Sequence, residues 1–305
     1  MVARAARRLH ACLDGARDPG HIERVPILDF EKYEGLGNDF VVVEAEVGAL
    51  SLDAVRAICD RHRGVGADGV LFVARSGGRP AMRVTNADGS RAEMCGNGLR
   101  CVALHLARTG AASVGESFVV DTDAGPHACR VLTLDGSVGT VQVSMRPASL
   151  APADVPVVAE RPLVDAPFRV DGAEVHVTAV SMGNPHAVVF DAVGPARVSL
   201  GPALQEDPRF PAKANVGFAR LLPEDAARAR AMELFVYERG AGWTEACGTG
   251  ACAAVVAAVE TGRVPRGEPV EVRLPGGPLS IVAGALGERI LMTGPARHVF
   301  SGHLR

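Results

Sequence analysis

The sequence predicts an α/β (α+β) protein of two pseudo-symmetric halves, each a β-sheet wrapped around one central helix. Three observations carry that expectation. Strand-like segments rich in β-branched residues alternate with a few helical ones; two of the helical segments are apolar on nearly every side; and the second half repeats the first in the same order.

The repeat is colinear. "GLGNDFVVVEA" matches "SMGNPHAVVFDA", with Gly37 and Gly183 146 residues apart, and "GADGVLF" resembles "ANVGFAR", with Gly69 and Gly217 148 apart. "NADGS" takes the place of "ERGAG", with Asn86 and Glu238 152 apart, and Cys95 stands 152 residues before Cys247. Four matches in one order do not arise from composition. They place two Cys-Gly-x-Gly turns about a pseudo-twofold axis, so the two sulfurs should face each other.

Element by element, "MVARAARRLHACLDGARDPGHIERVP" at 1–26 reads as a loose N-terminal extension, or as upstream of the true start. "ILDFEKYEG" and "NDFVVVEA" read as strands around a Gly-rich turn. "SLDAVRAICDRH" reads as a helix, with Ser51 as N-cap and Asp53 at the positive end of the helix dipole. "GVLFVAR" and "AMRVTNADGS" resume strands, and a helix from about Asn97 to Arg108 stops at Gly110. "SFVVDTDAG", "HACRVLTLDGSVGTVQVSM" and "EVHVTAVSMGNPHAVVF" are strand-rich, with a Leu-Asp-Gly hairpin signal in the second. Pro and Gly crowd "RPASLAPADVP", the expected domain boundary. Residues 27–147 then form a first domain carrying Cys95, and 148–293 a second carrying Cys247.

Composition narrows the function. The chain has 305 residues, 48% of them hydrophobic, and a formal net charge of −3, which gives no reason to expect nucleic acid or a membrane surface as partner. A small molecule fits better. No apolar run approaches the roughly 20 residues that span a bilayer, and no secretory core or transit signature is present. The seven cysteines are odd in number and lack a C-x-x-C pair, which argues against a disulfide framework or a zinc site and fits a reducing cytoplasm.

A Cys-Gly-x-Gly turn entering a helix leaves backbone N–H groups open to an anion, and a cysteine there is expected to ionise more easily. A lone cysteine is more often a small buried hydrophobe, and Cys101 and Cys252, inside the two helices, read that way. Duplication at equivalent helix starts favours chemistry for Cys95 and Cys247. Two thiols beside a doubled anion cradle suit racemisation or epimerisation: a carboxylate is held while a proton leaves one face of its α-carbon and enters the other. The pair should titrate jointly, one thiolate with one thiol. A pyridoxal route needs a Schiff-base lysine, and neither Lys32 nor Lys213, the only lysines, sits in a suitable setting, so no cofactor is expected.

With "GLGNDF", "RHRGVGADG", "NADGSRAEMCGNGLRC", "SMGNPHAVV", "ANVGF", "YERGAGWTEACGTGAC" and "MTGPARHV" in this order, the chain from about Phe30 to Val299 resembles the diaminopimelate epimerase family. The resemblance implies a mixed, curled sheet around a central helix in each half, with the site in the cleft between them, and it implies that 294–305 return to the first domain. It implies epimerisation of LL-2,6-diaminopimelate to the meso isomer in lysine and peptidoglycan precursor biosynthesis, without cofactor or metal, by a cytoplasmic homodimer. Residue by residue, it makes Cys95 and Cys247 the acid/base pair and Gly96, Asn97, Gly248 and Thr249 the cradle for the reacting carboxylate. Asn38, Asn86, Asn184, Asn215 and Arg239 match positions that grip substrate, and Glu238 and His186 match residues that tune the cysteines and orient the reacting centre. Taken singly, each Asn would read as a turn residue, Arg239 as a surface ion pair and His186 as a brace after Pro185.

Two departures stand out. Many relatives carry Gln where this chain has Gly69, and Trp243, often Glu or Pro in relatives, either lines the cleft or is a packing residue. The competing readings are another paired-cysteine racemase, acting on proline, hydroxyproline or histidine, a thiol redox module, and a non-catalytic amino acid binder. Arg239 with Asn184 and Asn215 favours a substrate with a second amino acid end.

Overall fold

A computed structural model describes residues 28–76, 78–222 and 230–304. The extension at 1–26, with Cys12, lies outside the described residues.

The first half runs β1 (Leu28–Gly35), β2 (Asn38–Val43), α1 (Leu52–Cys59), β3 (Gly69–Ser76), β4 (Arg79–Asn86), β5 (Arg91–Ala92), α2 (Gly96–Arg108), β6 (Ser117–Thr122), β7 (Gly125–Asp135) and β8 (Val138–Pro147). The second runs β9 (Ala166–Val170), β10 (Ala173–Ser181), β11 (Pro185–Phe190), α3 (Arg197–Gln205), β12 (Asn215–Leu222), β13 (Ala231–Glu238), β14 (Gly242–Thr244), α4 (Gly248–Glu260), β15 (Pro269–Leu274), β16 (Gly277–Val282) and β17 (Arg289–Leu304). β10 to β17 repeat β1 to β8 element for element. α3 stands for α1, α4 stands for α2, and β9 is an addition.

The pairing repeats too. β2 lies parallel to β3 and β11 parallel to β12, while β4 lies parallel to β6 and β13 parallel to β15; the other strand pairs are antiparallel. Parallel neighbours need a crossover, and the four helices supply it. In the first half, pairings β17–β1, β1–β2, β2–β3, β3–β4, β4–β6, β6–β7, β7–β8 and β8–β17 close a ring around α2. A bridge between Ser149 and Ser181 performs the matching closure around α4. β17 joins the halves: Leu291–Thr293 pair with β16, and Arg297–Leu304 pair with β1.

Side-chain alternation assigns each strand two jobs. Val41, Val43, Val70 and Phe72 turn outward onto Val55, Ile58 and Cys59 of α1, whose i, i+3, i+4 spacing forms one face. Their neighbours Phe40, Val42, Leu71 and Val73 turn inward to the core that holds α2. That core is continuous with the core around α4, where every residue from Gly250 to Val259 is buried. Ser51 caps α1 by accepting from Ala54 N at 3.2 Å, and the Leu-Asp-Gly signal falls at the β7–β8 hairpin. α3 is a helix that the sequence pattern does not announce, because Gly201 and Pro202 interrupt it and Ala196 offers no side-chain cap.

Candidate active site

The site is assembled from two pairs of equivalent turns. Gly37 and Gly183 sit at φ +82° and +93°, a backbone conformation that favours glycine, and each is followed by an asparagine, Asn38 as the first residue of β2 and Asn184 immediately before β11. Cys95 and Cys247 are the N-cap residues of α2 and α4. Each sulfur accepts from the amide three residues on, Gly98 N and Gly250 N, at 3.4 Å in both cases. Neither helix carries an acidic residue in its first turn, so the positive ends remain free for an anion.

Both cysteines open onto one cleft of about 1170 Å³. Its walls also hold Asn38, Asn86, Gly96, Asn97, Asn184, Glu238, Arg239, Gly248 and Thr249. Asn215 and His186 are buried and do not line it. Asn215 Oδ1 accepts from Arg239 N at 2.9 Å, and its Nδ2 donates to Pro185 O at 3.2 Å, so it holds the chain that presents Arg239. His186 Nε2 pairs with Asn184 Oδ1 at 3.1 Å, and its hydrogen bond is to that asparagine rather than to a sulfur.

A chain of amides crosses between the halves. Asn97 Nδ2 donates to Asn38 Oδ1 at 3.2 Å and to Ala246 O at 3.4 Å, and Asn38 Oδ1 also accepts from Cys95 Sγ at 3.7 Å. On the other side Asn184 Nδ2 donates to Thr249 Oγ1 at 3.4 Å, and that hydroxyl lies 3.6 Å from Cys247 Sγ. Glu238 Oε1 accepts from Thr244 Oγ1 at 2.5 Å.

The helix termini do not by themselves make thiolates. Burial pushes the Cys95 thiol up, against the pull of the Gly98 and Asn97 amides, and burial with the Glu238 charge pushes Cys247 well above the ordinary thiol range. Desolvation outweighs the amide effect expected from sequence. Burial, with the charge of Arg239 adding to it, pulls His186 down to about 3, so the imidazole is neutral at physiological pH.

Sequence reasoning passed over a charged brace under the first asparagine. Asn38 Nδ2 donates to Asp68 Oδ2 at 2.5 Å, and Arg61 bridges Asp68 at 2.6 Å and Asp39 at 2.7 Å. Lys32, itself buried, pairs with Asp39. Burial pushes Asp39 up, but its hydrogen bonds from Arg61 and Lys32 prevail and hold it below the usual carboxylate range. The signal was the charge density of "RHRGVGADG". Trp243 is outside the cleft lining and packs on Phe218, Tyr237 and Gly201, which makes it a packing residue. At Gly69 a Cβ would stand 2.7 Å from Thr85 O, so β3 approaches β4 too closely for a Gln here.

Solved structures share this architecture. A hydroxyproline epimerase from Agrobacterium vitis superposes with a TM-score of 0.64 at 17% identity, covering 91% of each chain. A phenazine biosynthesis protein of the PhzF family from Bacillus anthracis gives 0.65 at 14% identity, over 92% of this chain and 100% of that one. At such identities the likeness speaks for the fold alone. Fold, paired cysteines and sequence relatives together define an isomerase of the epimerase type. The chain belongs to the diaminopimelate epimerase family: the family model matches residues 30–151 and 178–299. Diaminopimelate epimerase of Geobacillus kaustophilus is 42% identical over 90% of this chain and 95% of that protein, and that of Synechocystis is 44% identical over 90% and 98%.

Proposed function

We propose that this protein epimerises LL-2,6-diaminopimelate to meso-diaminopimelate by a two-base mechanism in which Cys95 and Cys247 exchange protons with opposite faces of one α-carbon. The observation that carries the reading is that both sulfurs, each at the start of an equivalent helix, open onto one cleft. Family membership supplies the substrate.

The reacting carboxylate docks between the two helix starts, on the amides of Gly96, Asn97, Gly248 and Thr249. One cysteine, as thiolate, takes the α-proton: the C–H bond breaks, an S–H bond forms, and the electron pair moves onto the carboxylate as an enolate. The other cysteine, as thiol, gives its proton to the opposite face. Its S–H bond breaks, a new C–H bond forms, and the configuration is inverted. Each acid or base step is worth about 10² to 10⁴-fold, and donors aimed at the enolate add on the order of 10² to 10³ each. Arg239 takes the distant carboxylate bidentately, and Asn38, Asn86 and Asn184 take the ammonium groups and remaining oxygens. Asn215 acts through Arg239, His186 through Asn184, and Glu238 on the cysteine charges.

No cofactor enters these steps. Among the described residues no helix is long and apolar enough to cross a membrane. The reading takes the enzyme as a cytoplasmic homodimer, as the resemblance implies, and sedimentation in solution tests the assembly. The function is tested in deuterated water against a panel of amino acids: diaminopimelate should acquire deuterium at an α-carbon. Deuterium in proline, hydroxyproline or histidine but not in diaminopimelate would refute the substrate and spare the chemistry.

A further inference from the structure

Two of the charged residues around the cysteines have no charged counterpart in the other half. Arg100 corresponds to Cys252, and Glu238 to Asn86, each pair 152 residues apart like the two cysteines.

Arg100, on α2, has no exposed surface. Its Nε donates to Pro295 O at 3.1 Å, and its Nη1 donates to Asn97 Oδ1 at 3.1 Å and to Met292 Sδ at 3.8 Å. Nη2 is buried without a hydrogen-bond partner. Among the described residues no carboxylate forms an ion pair with it; Glu34 on β1, whose field reaches it, is bound by Arg297 at 2.9 Å. The surroundings are cut to admit it, since a Cβ on Gly35 would stand 3.1 Å from Nη2 and one on Gly294 3.3 Å from Nε. Burial lowers its pKa, yet a guanidinium starts so high that it keeps its proton. A buried unpaired charge is costly, and an apolar side chain would fill the space without that cost.

We propose that Arg100 is a positioning residue that makes the two cysteines chemically unequal: its unpaired charge, tied to Asn97 at the start of α2, favours thiolate at Cys95, while Glu238 in the cleft wall favours thiol at Cys247. The proposal rests on the reading of these cysteines as an acid/base pair. Besides Cys95 and Arg100 themselves, the groups whose charge weighs most on this pair are Cys101 on α2, Cys252 on α4, Glu34 on β1 and Glu238 on β13. The three others besides Glu238 are two buried neutral thiols and the carboxylate held by Arg297. Glu238 pushes both thiols up: at Cys247 only burial exceeds it, whereas at Cys95 burial and the Gly98 and Asn97 amides exceed it, and there it still outweighs the opposing pull of Arg100. The Asn38 carbonyl near Cys95 opposes ionisation, but it sets a neutral dipole against a full charge. Asn97 carries the arrangement into the site, because the Arg100 contact orients the amide that reaches both Asn38 and Ala246.

The test is alkylation of the free enzyme by iodoacetamide across a pH series, with each cysteine read separately by peptide mass spectrometry. Midpoints are compared rather than absolute rates, since Cys247 is the more buried. The wild type should show a lower midpoint for Cys95 than for Cys247. Arg100→Met should raise the Cys95 midpoint by about one pH unit, a tenfold loss of rate below it, and leave Cys247 in place, while Arg100→Lys keeps most of the wild-type value. A lower midpoint for Cys247 in the wild type, or equal shifts of both cysteines in Arg100→Met, would overturn the proposal. If Arg100→Met does not fold, the wild-type order and Glu238→Gln decide: Glu238→Gln should lower the Cys247 midpoint more than that of Cys95, and the opposite result counts against it. Alkylation needs no substrate, so failure here leaves the epimerase reading to the deuterium experiment.

Discussion

Asn97 donates from its side-chain nitrogen to the main-chain oxygen of Ala246 at 3.4 Å, and this fastens the start of α2 to the turn that delivers Cys247. The amide is fully used, because Asn38 Oδ1 shares the same nitrogen and Arg100 Nη1 occupies its oxygen. Asn97→Ala should therefore cost stability as well as rate. The unpaired Arg100 and Asn38 groups predict a loss of about 1–3 kcal/mol by urea unfolding, and kcat should fall more than KM rises.

Thr249 offers a cleaner probe of one sulfur. Asn184 donates to its hydroxyl oxygen, which leaves the hydroxyl proton for Cys247 Sγ at 3.6 Å, and that contact lowers the thiol pKa against the larger effects of burial and Glu238. Thr249→Val removes it. The Cys247 alkylation midpoint should move to higher pH, Cys95 should not follow, and the ascending limb of the pH–rate profile with Cys247 as base should move the same way.

His186 makes stability depend on pH. Its folded pKa of about 3 lies below the ordinary 6.5, so between these values the unfolded chain binds the proton and the folded one does not. Stability is full above pH 6.5 and falls as pH drops toward 3. His186→Gln can still donate to Asn184 Oδ1 but does not titrate. Thermal melting between pH 6.5 and 4 should show a flatter slope in the variant, by about one proton.

At Gly69 the sequence departs from the pattern expected of the resemblance, and in Gly69→Gln the new Cβ would meet Thr85 O at 2.7 Å. Backbone rather than a flexible side chain is in the way. The variant should lose about 1–3 kcal/mol in unfolding experiments and gain nothing in KM for diaminopimelate.

Much of this architecture is legible in the chain because duplication writes it twice. The two helix starts, the turns at Gly37 and Gly183 and the Ser51 cap follow from local chemistry that a sequence displays. α3 does not, since Gly201 and Pro202 hide its period and its support comes from packing against β12 and β9. Nor does the ionisation of the cysteines: a helix start is local, whereas the burial that outweighs it is set by the closed rings around α2 and α4. The same holds for His186, Asn215 and Trp243, whose places depend on which side of a strand or turn faces the cleft. Arg100 sits in the middle of the "CGNGLRC" motif, but that it is buried without an acidic partner is knowable only in three dimensions.

The central claim is that inversion needs a proton acceptor and a proton donor on opposite faces of one carbon, one sulfur for each. Measuring epimerisation of LL-diaminopimelate by purified, folded Cys95→Ala and Cys247→Ala tests it most directly. Each variant should lose roughly 10² to 10⁴-fold or more in kcat. Activity within about tenfold of wild type in either variant, below the least that one acid or base step supplies, would contradict the account.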